Sequence, residues 1–157
     1  MAVTLQQVRQ LVSPEEPNYA AAARLGPQLL PHLQTLIASP DAMIASKAAY
    51  LATLIDDERA VEVVRAATNS PAPVVRIAAA GGIRRMQGAA ASGLISRLLN
   101  DRDKGVRKLA LKAAADRDNA ALLAQVANIS RTDPTPHVRA LASRVLSRRR
   151  GGGGQIA

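Results

Sequence analysis

The feature that most constrains this chain is an internal repeat about the length of one helix pair. Val75-Arg76, Val106-Arg107 and Val138-Arg139 recur at an almost constant interval, and Ile44-Ala45 precedes the first of them by the same interval. Alanine follows each anchor by four positions, as Ala48, Ala79, Ala110 and Ala142. Seven and eight positions on come Leu51 and Ala52, Gly82 and Ile83, Ala113 and Ala114, and Val145 and Leu146. Small and apolar residues at i, i+4, i+7 and i+8 make one face of an α-helix. A short unit of this kind buries its apolar face only against its neighbours, so such a repeat implies stacking.

Each anchored helix has a start signal upstream: Ser39-Pro40-Asp41, Ser70-Pro71, Asp101-Arg102-Asp103 and Asp133-Pro134. A Ser or Asp oxygen accepts a bond from a free N–H of the first turn, and Pro in that turn loses no helical hydrogen bond. Ser13-Pro14-Glu15-Glu16 gives the same signal earlier. Between these helices the apolar spacing predicts a first helix per repeat, over 27–38, 57–68, 89–99 and 118–130. The first repeat is degenerate, with helices near 4–12 and 18–25. The expected fold is all-α, an α-solenoid of about five antiparallel helix pairs over 1–148. Residues 1–26 form a capping repeat, and 149–157 a disordered, basic and Gly-rich tail. The core must be Ala, Leu, Val and Ile, because the chain has no Phe or Trp and only two Tyr. Gly81-Gly82 inside a predicted helix marks either a close helix crossing or a hinge.

The Val-Arg anchors, the Asp six positions before Arg107 and Arg139, and the Asp57–Glu62 segment resemble HEAT repeats, in particular the short bacterial kind of the phycobilin-lyase type. The resemblance covers about residues 27–148 and concerns the fold. It implies a ladder in which Arg76, Arg107 and Arg139 tie to the Asp of neighbouring turns, Asp101 and Asp133. Two repeats depart from the pattern: Ser70 replaces the Asp of one, and Ser39 and Ala45 replace both partners of another. A ligand-binding row of arginines is the competing reading. The resemblance also implies that the second helices line the concave side of the stack.

Charge is uneven. Residues 1–56 carry three basic and four acidic side chains, net −1, and residues 57–157 carry eighteen and eight, net +10. An anionic partner for the C-terminal part follows, with a solvated basic surface as the alternative. Counted from the anchor, positions +2, +6, +9 and +10 point away from the apolar face and hold Arg84, Arg85, Lys108, Lys112, Arg144 and Arg148. These six are the partner-binding candidates. The expected function is a non-catalytic scaffold binding an acidic protein surface or peptide on its concave basic face. Binding of the nucleic-acid phosphate backbone is the alternative. Base stacking is not expected, because no aromatic residue is expected near these positions.

Enzymatic readings find little support. The chain has no Cys, which removes disulfides, thiolate zinc sites and thiol catalysis. Neither His32 nor His137 is followed by Glu, so the His-Glu pairs of HEAT-like iron hydroxylases are missing. Ser130, Asp133 and His137 are what any polar turn offers. HEAT-like alkyl-base glycosylases are longer and surround the damaged base with aromatics, which this chain lacks. The resemblance to phycobilin lyases rests on the repeats alone, with no chromophore-gripping feature, so a lyase-type or glycosylase-type enzyme is the less favoured reading. No catalytic, metal or cofactor residue is expected, nor a small-molecule substrate. No apolar run reaches the length of a membrane span, and residues 1–12 lack a secretory pattern, so a cytoplasmic location is expected.

Overall fold

The computed structural model describes residues 2–154. The chain divides into two compact units, 1–87 and 88–157, where the sequence predicts one repeat domain over 1–148. The described residues form ten α-helices: α1 (Leu5–Val12), α2 (Tyr19–Ala23), α3 (Leu30–Ile37), α4 (Ala42–Thr53), α5 (Ala60–Thr68), α6 (Pro73–Gly82), α7 (Ala89–Leu98), α8 (Lys104–Ala115), α9 (Ala120–Thr132) and α10 (Pro136–Gly154). There is no strand among them, and 3-10 turns occupy Gly26–Leu29 and Ile83–Arg85.

The first unit holds three helix pairs, α1–α2, α3–α4 and α5–α6. Its first helices pack in the order α1, α3, α5 and its second helices in the order α2, α4, α6. The second unit holds two pairs, with α7 on α9 and α8 on α10. Each unit therefore advances helix pair by helix pair. The cores are aliphatic. Leu33, Leu51, Val64 and Ala79 are fully buried in the first unit, and Leu94, Ile95, Leu111 and Val126 in the second.

The start signals work in two tiers. Side-chain oxygens of Ser39, Ser70, Asp101 and Asp133 each accept the N–H two positions on, from Asp41, Ala72, Asp103 and Thr135, at 3.1, 3.2, 2.9 and 2.9 Å. These bonds close the turn rather than the helix. Where an Asp follows, it caps the helix itself. Asp41 accepts from the Met43 and Ile44 N–H groups, and Asp103 from those of Gly105 and Val106. Where none follows, Pro starts the helix, at Pro73 and Pro136.

Several boundaries differ from expectation. The predicted first helix over 27–38 begins as a 3-10 turn and becomes α-helical only at Leu30. Pro27 and Pro31 each lack an N–H to donate within these short elements. The helix expected past residue 82 tightens to 3-10 at Ile83, and Gly88 then takes φ +94°, a left-handed value suited to Gly, at the boundary between units. At the C-terminus α10 continues through Arg149 and Arg150 to Gly154, where the sequence predicts a disordered tail; 155–157 of that tail lie outside the described residues. Arg149 is tied in this structure, donating to the Arg117 carbonyl and lying 3.7 Å from the Asp118 carboxylate.

Gly82 marks a close crossing. A Cβ built there would run into Thr53 Oγ1 and lie 2.8 Å from Thr53 Cβ and 2.9 Å from Thr53 Cγ2. The missing side chain lets α6 approach α4.

Candidate functional site

The arginines of the repeat reach back to their own turns. Arg76, Arg107 and Arg139 each donate an Nη1 hydrogen to a carbonyl six positions earlier, on Ser70, Asp101 and Asp133, at 2.8, 2.9 and 2.6 Å. Arg107 also makes a fork onto the next turn, Nε to Asp133 Oδ2 at 2.8 Å and Nη2 to Asp133 Oδ1 at 3.1 Å. Its Nη2 further donates to Thr135 Oγ1 at 3.4 Å. The two side chains are 11% and 4% exposed, so this bidentate pair is sheltered from water. Burial by itself would raise the Asp133 carboxyl. The bonds from Arg107 and the Thr135 N–H, with the charges of Arg107 and Arg139, bring it below its ordinary value. In this geometry each arginine secures its own turn, Arg107 also joins its turn to the next through Asp133, and the Arg107 guanidinium is engaged at all three nitrogens.

The six partner-binding candidates fall in different units. Arg84 and Arg85 sit in the 3-10 turn that ends the third pair. Lys108 and Lys112 lie on α8, Arg144 and Arg148 on α10. All six are exposed. Within the second unit, Lys108 and Lys112 are one helical turn apart, as are Arg144 and Arg148, and α8 packs on α10. That unit holds 13 basic and five acidic residues, net +8, whereas the first unit holds eight and seven, net +1.

The cations of the second unit split into two classes. Arg107, Arg117, Arg139 and Arg149 are tied to carbonyls, a hydroxyl or carboxylates. Lys108, Lys112, Arg144 and Arg148, and with them the exposed Arg102, Lys104, Arg131 and Arg150, make no side-chain hydrogen bond or ion pair among the described residues. Ser96 Oγ donates to Gln125 Oε1 at 2.7 Å, a polar tie between α7 and α9.

In the first unit the structure corrects the expectation that no aromatic residue lies near the basic positions. Arg85 Nη1 donates to the Tyr50 hydroxyl at 2.9 Å. Tyr50 meets Tyr19 edge to face, with ring centroids 4.8 Å apart and an interplanar angle of 70°. Burial, and then the neighbouring Tyr50, push the Tyr19 hydroxyl above its ordinary pKa. A signal was present in the sequence. Tyr50 stands six positions after its anchor, the register position of Lys112 and Arg144. Arg85 also walls a cavity of about 520 Å³ lined by Leu54, Val61 and Met86 and by the Asp56-Asp57-Glu58 turn. Asp57 is held by Arg59 through Nε and Nη2, each at 2.8 Å, and that bond lowers its carboxyl to about 2.

The histidines are placed as structural or surface groups. His32 Nε2 lies 2.9 Å from the Val3 carbonyl oxygen, and His137 is exposed at the start of α10. Among the described residues no group of three His, Asp or Glu side chains is placed to hold a metal ion, and no helix is long and apolar enough to cross a membrane.

No family profile and no curated protein sequence matches the chain. Among solved structures it is similar to the complex of CpcE and CpcF of phycocyanin lyase from Nostoc sp. PCC7120. The likeness has a TM-score of 0.70 at 19% identity and covers 90% of this chain and 97% of that one. At such identity the likeness speaks for the fold. Paired helices that recur at the even interval of the Val-Arg anchors, with an arginine of one turn forked onto the aspartate of the next, agree with it, and the chain has a HEAT-like helical-repeat fold.

Proposed function

We propose that this protein is a non-catalytic docking module whose second unit takes an acidic protein surface on α8 and α10. The observation that carries the reading is the division of labour among the cations of that unit. Arg107, Arg117, Arg139 and Arg149 are engaged, while Lys108, Lys112, Arg144 and Arg148, with Lys104 one turn before Lys108, stand exposed on two packed helices with their charges unmatched. Side chains at i and i+4 are spaced about 6 Å along a helix, and packed helices lie about 8–10 Å apart. Carboxylates on a partner helix or strand meet such a grid well. Charges of this kind raise the association rate and select the partner more than they add raw affinity.

The test is anisotropy of a labelled Glu-rich peptide against the full chain and against K108E/K112E/R144E/R148E. The reading expects binding that weakens with salt and vanishes in the variant. Equal binding to both proteins overturns it. Labelled duplex DNA is the parallel arm. If it binds through the same four residues, log K falls against log salt with a slope of about −4, and the partner class changes to nucleic acid.

The likeness to the CpcE and CpcF complex favours a second reading, in which the chain works as one subunit of a two-subunit lyase. This reading also requires a protein partner. It is tested by assaying the chain together with its captured partner for lyase activity on phycocyanin; no activity removes it and leaves the docking module.

A further inference from the structure

We propose that the first unit carries a separate recognition site, made by the Tyr50–Arg85 contact and the cavity that Arg85 walls, for a partner peptide segment bearing a carboxylate with a cationic side chain close by. Three features of the unit carry this: its tyrosine pair, its oriented guanidinium and its mixed cavity wall. The core of the chain is aliphatic throughout, yet its two tyrosine rings stand half-buried against each other outside that core. Their placement does not fill the interior. Tyr and Arg are both enriched at binding hot spots, and Tyr offers large contact area at small entropic cost.

The Arg85 guanidinium is held before any ligand arrives. Its Nη1 donates to the Tyr50 hydroxyl at 2.9 Å, and its Nε and Nη2 make no hydrogen bond among the described residues. A planar fork oriented in this way is suited to a carboxylate, and part of the ordering cost is already met by the fold.

The rest of the cavity, about 520 Å³, states what else the occupant carries. Its acidic turn is not uniformly charged toward a ligand, because Asp57 is neutralised by Arg59. Asp56 and Glu58 remain exposed as carboxylates of that wall. Leu54, Ile55, Val61 and Met86 supply apolar lining. A segment with an acidic residue for Arg85, an apolar residue for the lining and a basic residue for Asp56 and Glu58 matches each wall in turn. A purely acidic segment meets repulsion from that turn. The site lies wholly in the first unit and does not depend on the basic face of α8 and α10.

The chain provides its own probe. It contains two Tyr and no Trp, so tyrosine emission reports only this place. The full chain is titrated with the end-capped peptide Glu-Leu-Lys and with the capped controls Gln-Leu-Lys and Glu-Leu-Gln. The expected result is a saturable change in emission with Glu-Leu-Lys. Binding weakens roughly tenfold with Gln-Leu-Lys, or in R85Q, the size of one lost charge-assisted bond. In D56N/E58Q the preference for Glu-Leu-Lys over Glu-Leu-Gln disappears. In Y50F the ring remains but Arg85 loses its hold, and affinity falls several-fold. Unsaturable emission with Glu-Leu-Lys, equal affinity for all three peptides, or an R85Q titration identical to wild type overturns the proposal. K108E/K112E/R144E/R148E is expected to leave the emission titration unchanged, so this site and the docking face fail or stand separately.

Discussion

Replacing Gly82 by Ala and Gly93 by Ala makes the same chemical change in two helices with opposite expected results. At Gly82 the new methyl runs into Thr53 Oγ1, with Thr53 Cβ at 2.8 Å and Cγ2 at 2.9 Å. Carbon contacts are comfortable near 3.5–4.0 Å, so α6 must retreat from α4 by roughly 1 Å. Turning the Thr53 side chain does not remove the clash, because its Cβ is part of it. Thr53 is also 3% exposed, and its hydroxyl donates to the Tyr50 carbonyl at 2.6 Å. Overpacking of this kind costs about 1–3 kcal/mol, and a clash fixed by the backbone falls in the upper part of that range. The better helix propensity of Ala returns about 1 kcal/mol. The net expectation for Gly82→Ala is a loss of about 1–2 kcal/mol. At Gly93, exposed on α7, nothing lies within 4 Å of the built Cβ. Only the propensity gain remains, and Gly93→Ala is expected to stabilise by up to about 1 kcal/mol. Urea unfolding followed by tyrosine emission reads the first unit, where both Tyr lie. Amide exchange on α7 reads the second. A Gly82→Ala protein as stable as wild type would refute the close-crossing argument, as would a Gly93→Ala protein that is less stable.

Removing Asp133 leaves the sheltered Arg107 guanidinium without its fork, and Asp133→Ala is expected to destabilise the second unit by about 3 kcal/mol in urea unfolding. The conservative Arg107→Lys keeps the charge but loses the bidentate geometry, and is expected to cost a large part of the same amount. The Asp133 carboxyl titrates below its ordinary value in the folded chain, so its contribution is fully present above the unfolded carboxylate range. It is lost as pH falls through the folded pKa, and an acid titration of Asp133→Ala should show a shallower loss of stability than wild type over that window. Asp103→Ala removes the acceptor for the Gly105 and Val106 N–H groups, and is expected to cost about 1 kcal/mol, with fraying of the first turn of α8 seen by amide exchange.

Much of the fold was legible because stacking repeats write their packing into local sequence. The spacing of Val75, Val106 and Val138, with Ala four positions on, marks the buried stripe of each second helix. The places that resisted are those where a local rule meets a tertiary demand. Ser70 and Asp133 read as helix caps but close the preceding turn, because Pro73 and Pro136 start the helices. Tyr50 does not stand out as part of a basic cluster, because Arg85 lies 35 residues further along the chain. The division at residue 87 is likewise not visible in a repeat register that continues evenly across it.

By itself the sequence determined the element type, the pairing of helices and the face each one buries, since periodicity and short-range hydrogen bonding decide these within a single repeat. Only the tertiary structure decided which cations are engaged and which stand free on α8 and α10, that Gly82 serves a crossing with Thr53, and that two distant tyrosines meet beside an arginine. Those outcomes depend on how closely neighbouring helices approach and on which side chains then share a space. Composition and spacing along one chain do not specify that distance.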